Sequence, residues 1–225
     1  MKLLSIDSAG TTAAVAVSEG QSLLAEGFAD AGLTHSQMLL PLVDETLKKA
    51  GLSLGEIGCF AITNGPGSFT GLRIGASLVK GMALGRPCIP VPTLMALAFN
   101  EERSGRVAIS ILDARCKQVY MGAYSFSQEG AISLIPDGAY SLEEAKEKIL
   151  SLSGEKILLG DGAYLLADLA DGKQITMSDK NHILGRSIAA AARFLQPLSP
   201  EKLVPAYFRL SQAEREYQMR KNKGE

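Results

Sequence analysis

The chain repeats its own plan, and that repetition constrains the fold more than any other feature. A short apolar run, Leu3 to Ile6, ends on Asp7, and a second, Val107 to Leu112, ends on Asp113. Behind each lies a set of alternating segments joined by tight turns: Ala13 to Val17 and Leu23 to Phe28 in the first half, Val119 to Phe126 and Ala131 to Pro136 in the second. Alternation with turn residues between the runs predicts antiparallel meanders. Each meander leads into a helical pattern. Thr34 to Ala50 carries Met38, Leu39, Leu42, Val43 and Leu47 on one stripe, with Thr34 as cap, Gly51 as stop and Pro41 as a possible kink. Ser141 to Leu152 opens with a capping box completed by Glu144. Further strands are expected at Ile57 to Thr63, Cys88 to Val91 and Lys156 to Leu159. Further helices are expected at Ser68 to Leu84, Thr93 to Asn100, Tyr164 to Leu169 and Asn181 to Leu195. The pattern predicts an α/β protein of two similar halves, residues 1–104 and 105–212, followed by a charged, flexible tail at 213–225.

Composition narrows the function. The 225 residues carry a formal net charge of −1, so a strongly basic nucleic-acid binder is excluded; RNA would have to meet a local patch or come through a partner. Cys59, Cys88 and Cys116 are dispersed and odd in number, which argues against a disulfide framework or a zinc site and fits the cytoplasm. No window has the apolar length of a membrane span. His35 and His182 are far apart and lack ligand spacing, and no Ser-His-Asp or Cys-His set can be assembled.

Two places could carry chemistry. Asp7, followed by Ser8-Ala9-Gly10-Thr11-Thr12, has the form of a strand-end carboxylate that holds Mg²⁺ beside a phosphate; an Asx turn closing a hairpin explains it as well, and the local sequence favours the turn. The string Asn64-Gly65-Pro66-Gly67-Ser68-Phe69-Thr70-Gly71-Leu72-Arg73-Ile74-Gly75 leads a glycine turn into a helix N-terminus, an anion site in principle. It lacks the P-loop lysine and the dinucleotide spacing, so Gly67 and Ser68 could equally be a tight turn and a cap. The helix after it is unusual. Gly75 and Gly81 lie inside it, each costing about 1 kcal/mol against alanine. Gly71, Ile74, Gly75, Leu78, Gly81 and Met82 share one arc. With Met38 and Leu42 of the preceding helix, that arc is expected to form a partner face, unless the two helices fill each other's groove internally.

These residues resemble a known family. Thr34-His35-Ser36-Gln37, Leu40-Pro41, the Asn64 to Gly75 string, Pro92-Thr93-Leu94, the opening Leu4-Ser5-Ile6-Asp7 and the late Pro205-Ala206-Tyr207-Phe208-Arg209 are similar to the TsaB (YeaZ) family, most closely over residues 1 to 100. The resemblance implies a duplicated actin-like (ASKHA) fold with two RNase-H-like halves, shared with the related transferase TsaD. TsaD carries an H-x-x-x-H metal motif where this chain has Thr93 and Leu97, so the resemblance implies a subunit without the catalytic centre. It implies dimerisation with a TsaD homologue, and the ATPase TsaE and tRNA met through the complex. It also implies a homodimer when alone, with ATP and metal held by partner subunits rather than by this chain. The competing expectations are a small-molecule kinase or ATPase of the actin-like superfamily using Asp7, with Asp113 and Gly160-Asp161-Gly162 as its only further hints, and a peptidase, for which the chain offers no nucleophile with a base.

Overall fold

The computed structural model describes residues 1–30 and 34–209; the expected tail at 213–225 lies outside them. Two five-stranded mixed sheets form the frame. The first contains β1 (Lys2–Asp7), β2 (Ala13–Glu19), β3 (Ser22–Ala29), β4 (Cys59–Thr63) and β5 (Cys88–Val91) in the order β3-β2-β1-β4-β5. The second contains β6 (Val107–Asp113), β7 (Gln118–Ser127), β8 (Gly130–Ser141), β9 (Lys156–Leu159) and β10 (Ile175–Met177) in the order β10-β9-β6-β7-β8. Read from the meander edge, the two orders are the same. In each, the first three strands pair antiparallel, and the fourth joins the first in parallel.

The helices repeat as well. α1 (His35–Lys49) follows the first meander, as α4 (Leu142–Ser151) follows the second. α2 (Phe69–Ala83) follows β4, whereas its counterpart after β9 has shrunk to a 3-10 segment, Ala163–Leu169. α3 (Thr93–Ala98) follows β5, and α5 (Gly185–Ala192) follows β10. Ser68 caps α2 through its hydroxyl, and Ser141 caps α4 in the same way. Pro41 does not break α1; it lies on the exposed side of a continuous helix.

Three apolar cores stack through the molecule. α1 and α2 close one on the outer face of the first sheet, around Leu4, Ile6, Leu39, Phe60, Ile62 and Val79. A middle core between the sheets draws on both halves, from Val91, Leu94 and Leu97 to Leu159, Ile188 and Ala191. A third lies under α4, around Ile109, Met121, Ile149 and Leu166. In the middle layer the last helices are exchanged. α3, from the first half, packs on β6 and β7; α5, from the second, packs on β1 and β2. Gly185 permits this approach, because a Cβ there would stand 2.6 Å from both the Cβ and the N of Ala16.

One strand was not expected, and one helix is shorter than expected. β10 has only three residues, too short for a periodic pattern to reveal. The helix expected from Asn181 to Leu195 spans only Gly185–Ala192, because polar cross-links hold the preceding stretch out of it. Asn181 Oδ1 accepts the Gly160 N–H at 3.0 Å, and Asn100 Nδ2 donates to the carbonyls of Lys180 and His182.

Candidate functional site

A cleft of about 540 Å³ opens between the halves. Its walls are the turns that follow the equivalent strands β1 and β6, Ala9-Gly10-Thr11 on one side and Asp113-Ala114-Arg115 on the other, with Gly67, Ser68, Tyr120, Asp161 and Tyr164 completing the lining. The parallel strand pairs bring these turns together at the same end of both sheets.

Asp7 sits beneath the first wall, fully buried. Thr63 donates its hydroxyl to Oδ1 at 2.5 Å, and the Ala9 N–H donates to the same oxygen at 3.1 Å, forming the Asx turn. Oδ2 is buried without a partner. Burial raises the pKa of this carboxyl to about 6, against the opposing pull of the Thr63 and Ala9 hydrogen bonds and the nearby His35. His35 is bound structurally: Nε2 donates to the Gly10 carbonyl at 2.9 Å. On the facing wall, the Asp113 N–H donates to Asp161 Oδ1 at 3.1 Å, and Asp113 pairs with Arg115 at 3.3 Å.

Gly67 lies in the cleft wall, where a Cβ would collide with the Ala9 carbonyl. Ser68 donates its N–H to that same carbonyl at 2.7 Å, so the two turns of the first half are stitched together. Thr93 and Leu97 are both fully buried. Thr93 Oγ1 accepts the Gly65 N–H at 3.0 Å, and Leu97 belongs to the middle core. Among the described residues, no group of three or more His, Cys, Asp or Glu converges on a metal position.

The expected partner face is corrected by the structure. Gly71, Gly75, Met82, Met38 and Leu42 face inward and are buried. The turn after β1 arches over the start of α2, and the glycines make room for it. A Cβ on Gly71 would strike the Ser8 carbonyl, and one on Gly75 would strike Ser8 Oγ and stand 2.9 Å from Ile62. Ser8 in turn donates its hydroxyl to the Gly71 carbonyl at 3.0 Å. The outer side of α2 carries the exposed Thr70, Arg73, Ser77, Lys80 and Gly81, edged by the half-buried Ile74 and Leu78, with Leu84 just past the helix and Leu40 of α1 also exposed. Leu84 is 82% exposed and Leu40 54%, and Gly81 has open space where its Cβ would be. Of the eight residues expected on the partner face, only Ile74, Leu78 and Gly81 reach the surface.

The loop Ala114–Lys117 has no expected role in the sequence, although the duplication holds the signal for it, since this loop follows Asp113 as Ala9-Gly10-Thr11 follows Asp7. The strap Ala206–Arg209 falls on the Pro205–Arg209 motif that carries the family resemblance, but its place over the cleft is not written in it. The Ala206 N–H donates to Asn64 O at 2.6 Å, and Arg209 donates to the Ala114 carbonyl across the cleft mouth. Gly65, at φ +129°, is needed beneath it, because a Cβ there would collide with Ala206 O.

Two copies of a β-meander unit, closed around a cleft walled by the turns after their first strands, define an actin-like (ASKHA) domain. Component A of (R)-2-hydroxyglutaryl-CoA dehydratase from Acidaminococcus fermentans shares the fold, with a TM-score of 0.54 at 10% identity over 90% of this chain and 99% of that one. YeaZ from Pseudomonas aeruginosa superposes with a TM-score of 0.79 at 23% identity, covering 92% of this chain and 99% of that one. The family model described as TsaD, tRNA N6-adenosine threonylcarbamoyltransferase, matches residues 29–215. The tRNA threonylcarbamoyladenosine biosynthesis protein TsaB of Escherichia coli K12 is 31% identical over 204 residues, 88% of this chain and 86% of the relative. Its Bacillus subtilis counterpart is 28% identical over 221 residues, 95% and 96% of the two chains. The chain belongs to the TsaB (YeaZ) family of the tRNA threonylcarbamoyladenosine biosynthesis machinery, which is related to TsaD.

Proposed function

We propose that this chain is the non-catalytic partner of a TsaD homologue, supporting transfer of threonylcarbamoyl to tRNA adenosine without performing the chemistry. The observation that carries this reading is the use made of Thr93 and Leu97. They stand where the resemblance to TsaD implies its metal-binding histidines, and here one closes a backbone hydrogen bond and the other fills a core. A leucine has no donor atom for a metal, and a threonine hydroxyl is a poor substitute for imidazole.

The partner docks on the outer arc of α2, with Ile74, Leu78 and Leu84, joined by Leu40 of α1. Two such helices from each subunit make a four-helix contact. A related subunit offers the same half of the fold, so a second copy of this chain competes for the face when it is alone. ATP and metal belong to the partner subunits, TsaE and tRNA join through the complex, and the setting is the cytoplasm. No helix among the described residues is long and apolar enough to cross a membrane.

The test is tRNA modification with the purified chain, with and without a TsaD homologue. Product is expected only with both. Robust transfer by this chain alone would overturn the reading. An Asp7-dependent ATPase in the isolated chain would favour the kinase alternative.

A further inference from the structure

The strap and the loop beneath it carry a set of side chains that neither the fold nor the α2 partner face uses. Tyr207 stacks on Phe69 with ring centroids 4.1 Å apart and planes 2° from parallel. Arg73 donates to the Tyr207 hydroxyl at 2.9 Å and lies 5.4 and 5.6 Å from the centroids of the two rings. Phe208 and Tyr207 are both substantially exposed, and Tyr164 on the cleft wall is more so. Arg209 reaches across to the Ala114 carbonyl, where the next loop begins.

That loop is strained. Arg115, Cys116 and Lys117 all have left-handed backbones, at φ 64°, 54° and 56°, and all three are exposed. Three consecutive non-glycine residues in this region are costly and persist where the surroundings impose them. Here the strain projects Arg115 and Lys117 from the cleft mouth.

The charge on this rim is local. Arg73 at the start of α2, Arg115 and Lys117 in the loop after β6, and Arg209 on the strap gather here in a chain whose net charge is −1, and of the four Arg115 is paired with Asp113. Among the described residues, Arg73, Lys117 and Arg209 have no carboxylate partner. The larger groove of the molecule, about 600 Å³ beside the β2–β3 turn, is different. Its cations Arg103, Lys180, Arg186 and Arg193 are each ion-paired to Glu102, Glu101, Glu26 or Glu102.

We propose that this rim, from Arg73 and Tyr207 through Phe208 and Arg209 to Arg115 and Lys117, binds unpaired nucleotides of an RNA substrate directly. Cations at the surface meet phosphates, and exposed aromatic faces meet unstacked bases. A paired helix shows no free base faces and would leave the aromatic groups idle. An apolar protein partner would leave the cations desolvated and unpaired. The proposal rests on the reading that this chain works in tRNA modification, and it names a direct contact where that reading has tRNA come through the complex.

The experiment measures fluorescence anisotropy of a labelled anticodon stem–loop RNA, and of a fully paired hairpin of equal length, on the isolated full chain at several salt concentrations. Arg115→Asn with Lys117→Asn removes two charges, and asparagine tolerates the left-handed backbone. This double variant should weaken stem–loop binding by roughly 10-fold or more and reduce the salt slope by about 2. Phe208→Ala should weaken binding of the stem–loop but not of the paired hairpin. Thermal melting and co-elution with a TsaD homologue should stay at wild-type values. Wild-type RNA affinity in the double variant would overturn the proposal. So would equal affinity for the two RNAs. Because RNA is read on the isolated chain, failure of TsaD association shows up separately, as failure of the partner reading.

Discussion

Thr63 donates a hydroxyl hydrogen bond to Oδ1 of Asp7 at 2.5 Å, across the parallel seam between β4 and β1, while the other carboxylate oxygen is buried and bare. The geometry half-satisfies a charge. The raised pKa of about 6 reflects that balance.

The sign of the pH effect follows. An unfolded aspartate titrates at about 4, so between roughly pH 4 and 6 the folded chain holds a proton that the unfolded chain has lost. The Asp7 contribution is fully present below that window and disappears as pH rises through about 6. Asp137, raised to about 6 by burial beside the Tyr124 hydroxyl, acts in the same sense. Asp7→Asn should therefore stabilise the chain at pH 7 by something on the order of 1–3 kcal/mol, with the gain vanishing near pH 4. Denaturant melts at both pH values check it; a loss of stability at pH 7 would mean the charge is compensated by a group not in contact here.

Two of the three glycines of α2, Gly75 and Gly81, should respond in opposite ways. Gly75→Ala pushes a methyl into Ser8 and Ile62 and should destabilise by roughly 1–3 kcal/mol. Gly81→Ala enters open space and should stabilise the monomer by up to about 1 kcal/mol. Thermal melts of the pair, at a concentration where the protein is monomeric, separate the two.

Leu78 is half-buried, with part of its side chain packed on the first core, so Leu78→Glu should cost the monomer some stability but leave it folded. Association with a TsaD homologue, followed by size-exclusion chromatography, should fall by a factor of 10 or more, as for a charge desolvated in a contact. Unchanged co-elution and unchanged tRNA modification would place the partner elsewhere.

Thr93→Ala removes the acceptor of a buried N–H on Gly65 and should cost about 1–3 kcal/mol. Thr93→Ser keeps the hydroxyl and should recover most of it. Equal losses from both changes would assign the role of Thr93 to its methyl group instead.

Much of the fold was legible in the sequence because the duplicated meanders carry period-2 patterns and both serine caps follow simple chemistry. The strand-end position of Asp7 was legible too; its missing second partner was not, since burial of one oxygen depends on packing from β4. The glycines of α2 misled for a physical reason. A small-residue stripe says that something approaches closely, but not whether it is another molecule or the chain's own turn at Ser8. The Asn64 string and the Pro205–Arg209 motif were both legible as motifs, but their contact was not, because the Ala206 to Asn64 hydrogen bond joins residues distant in sequence.

The exchange of α3 and α5 between the two sheets bears on ancestry. A single copy of the unit, cut between the halves, would keep its sheet and its outer helices but lack the helix that covers its inner face. It would need a second copy to supply one, and would have to return its own. The chain therefore has the form of a helix-swapped dimer joined into one polypeptide, and the two copies part most plainly where the second counterpart of α2 is only the 3-10 segment Ala163–Leu169.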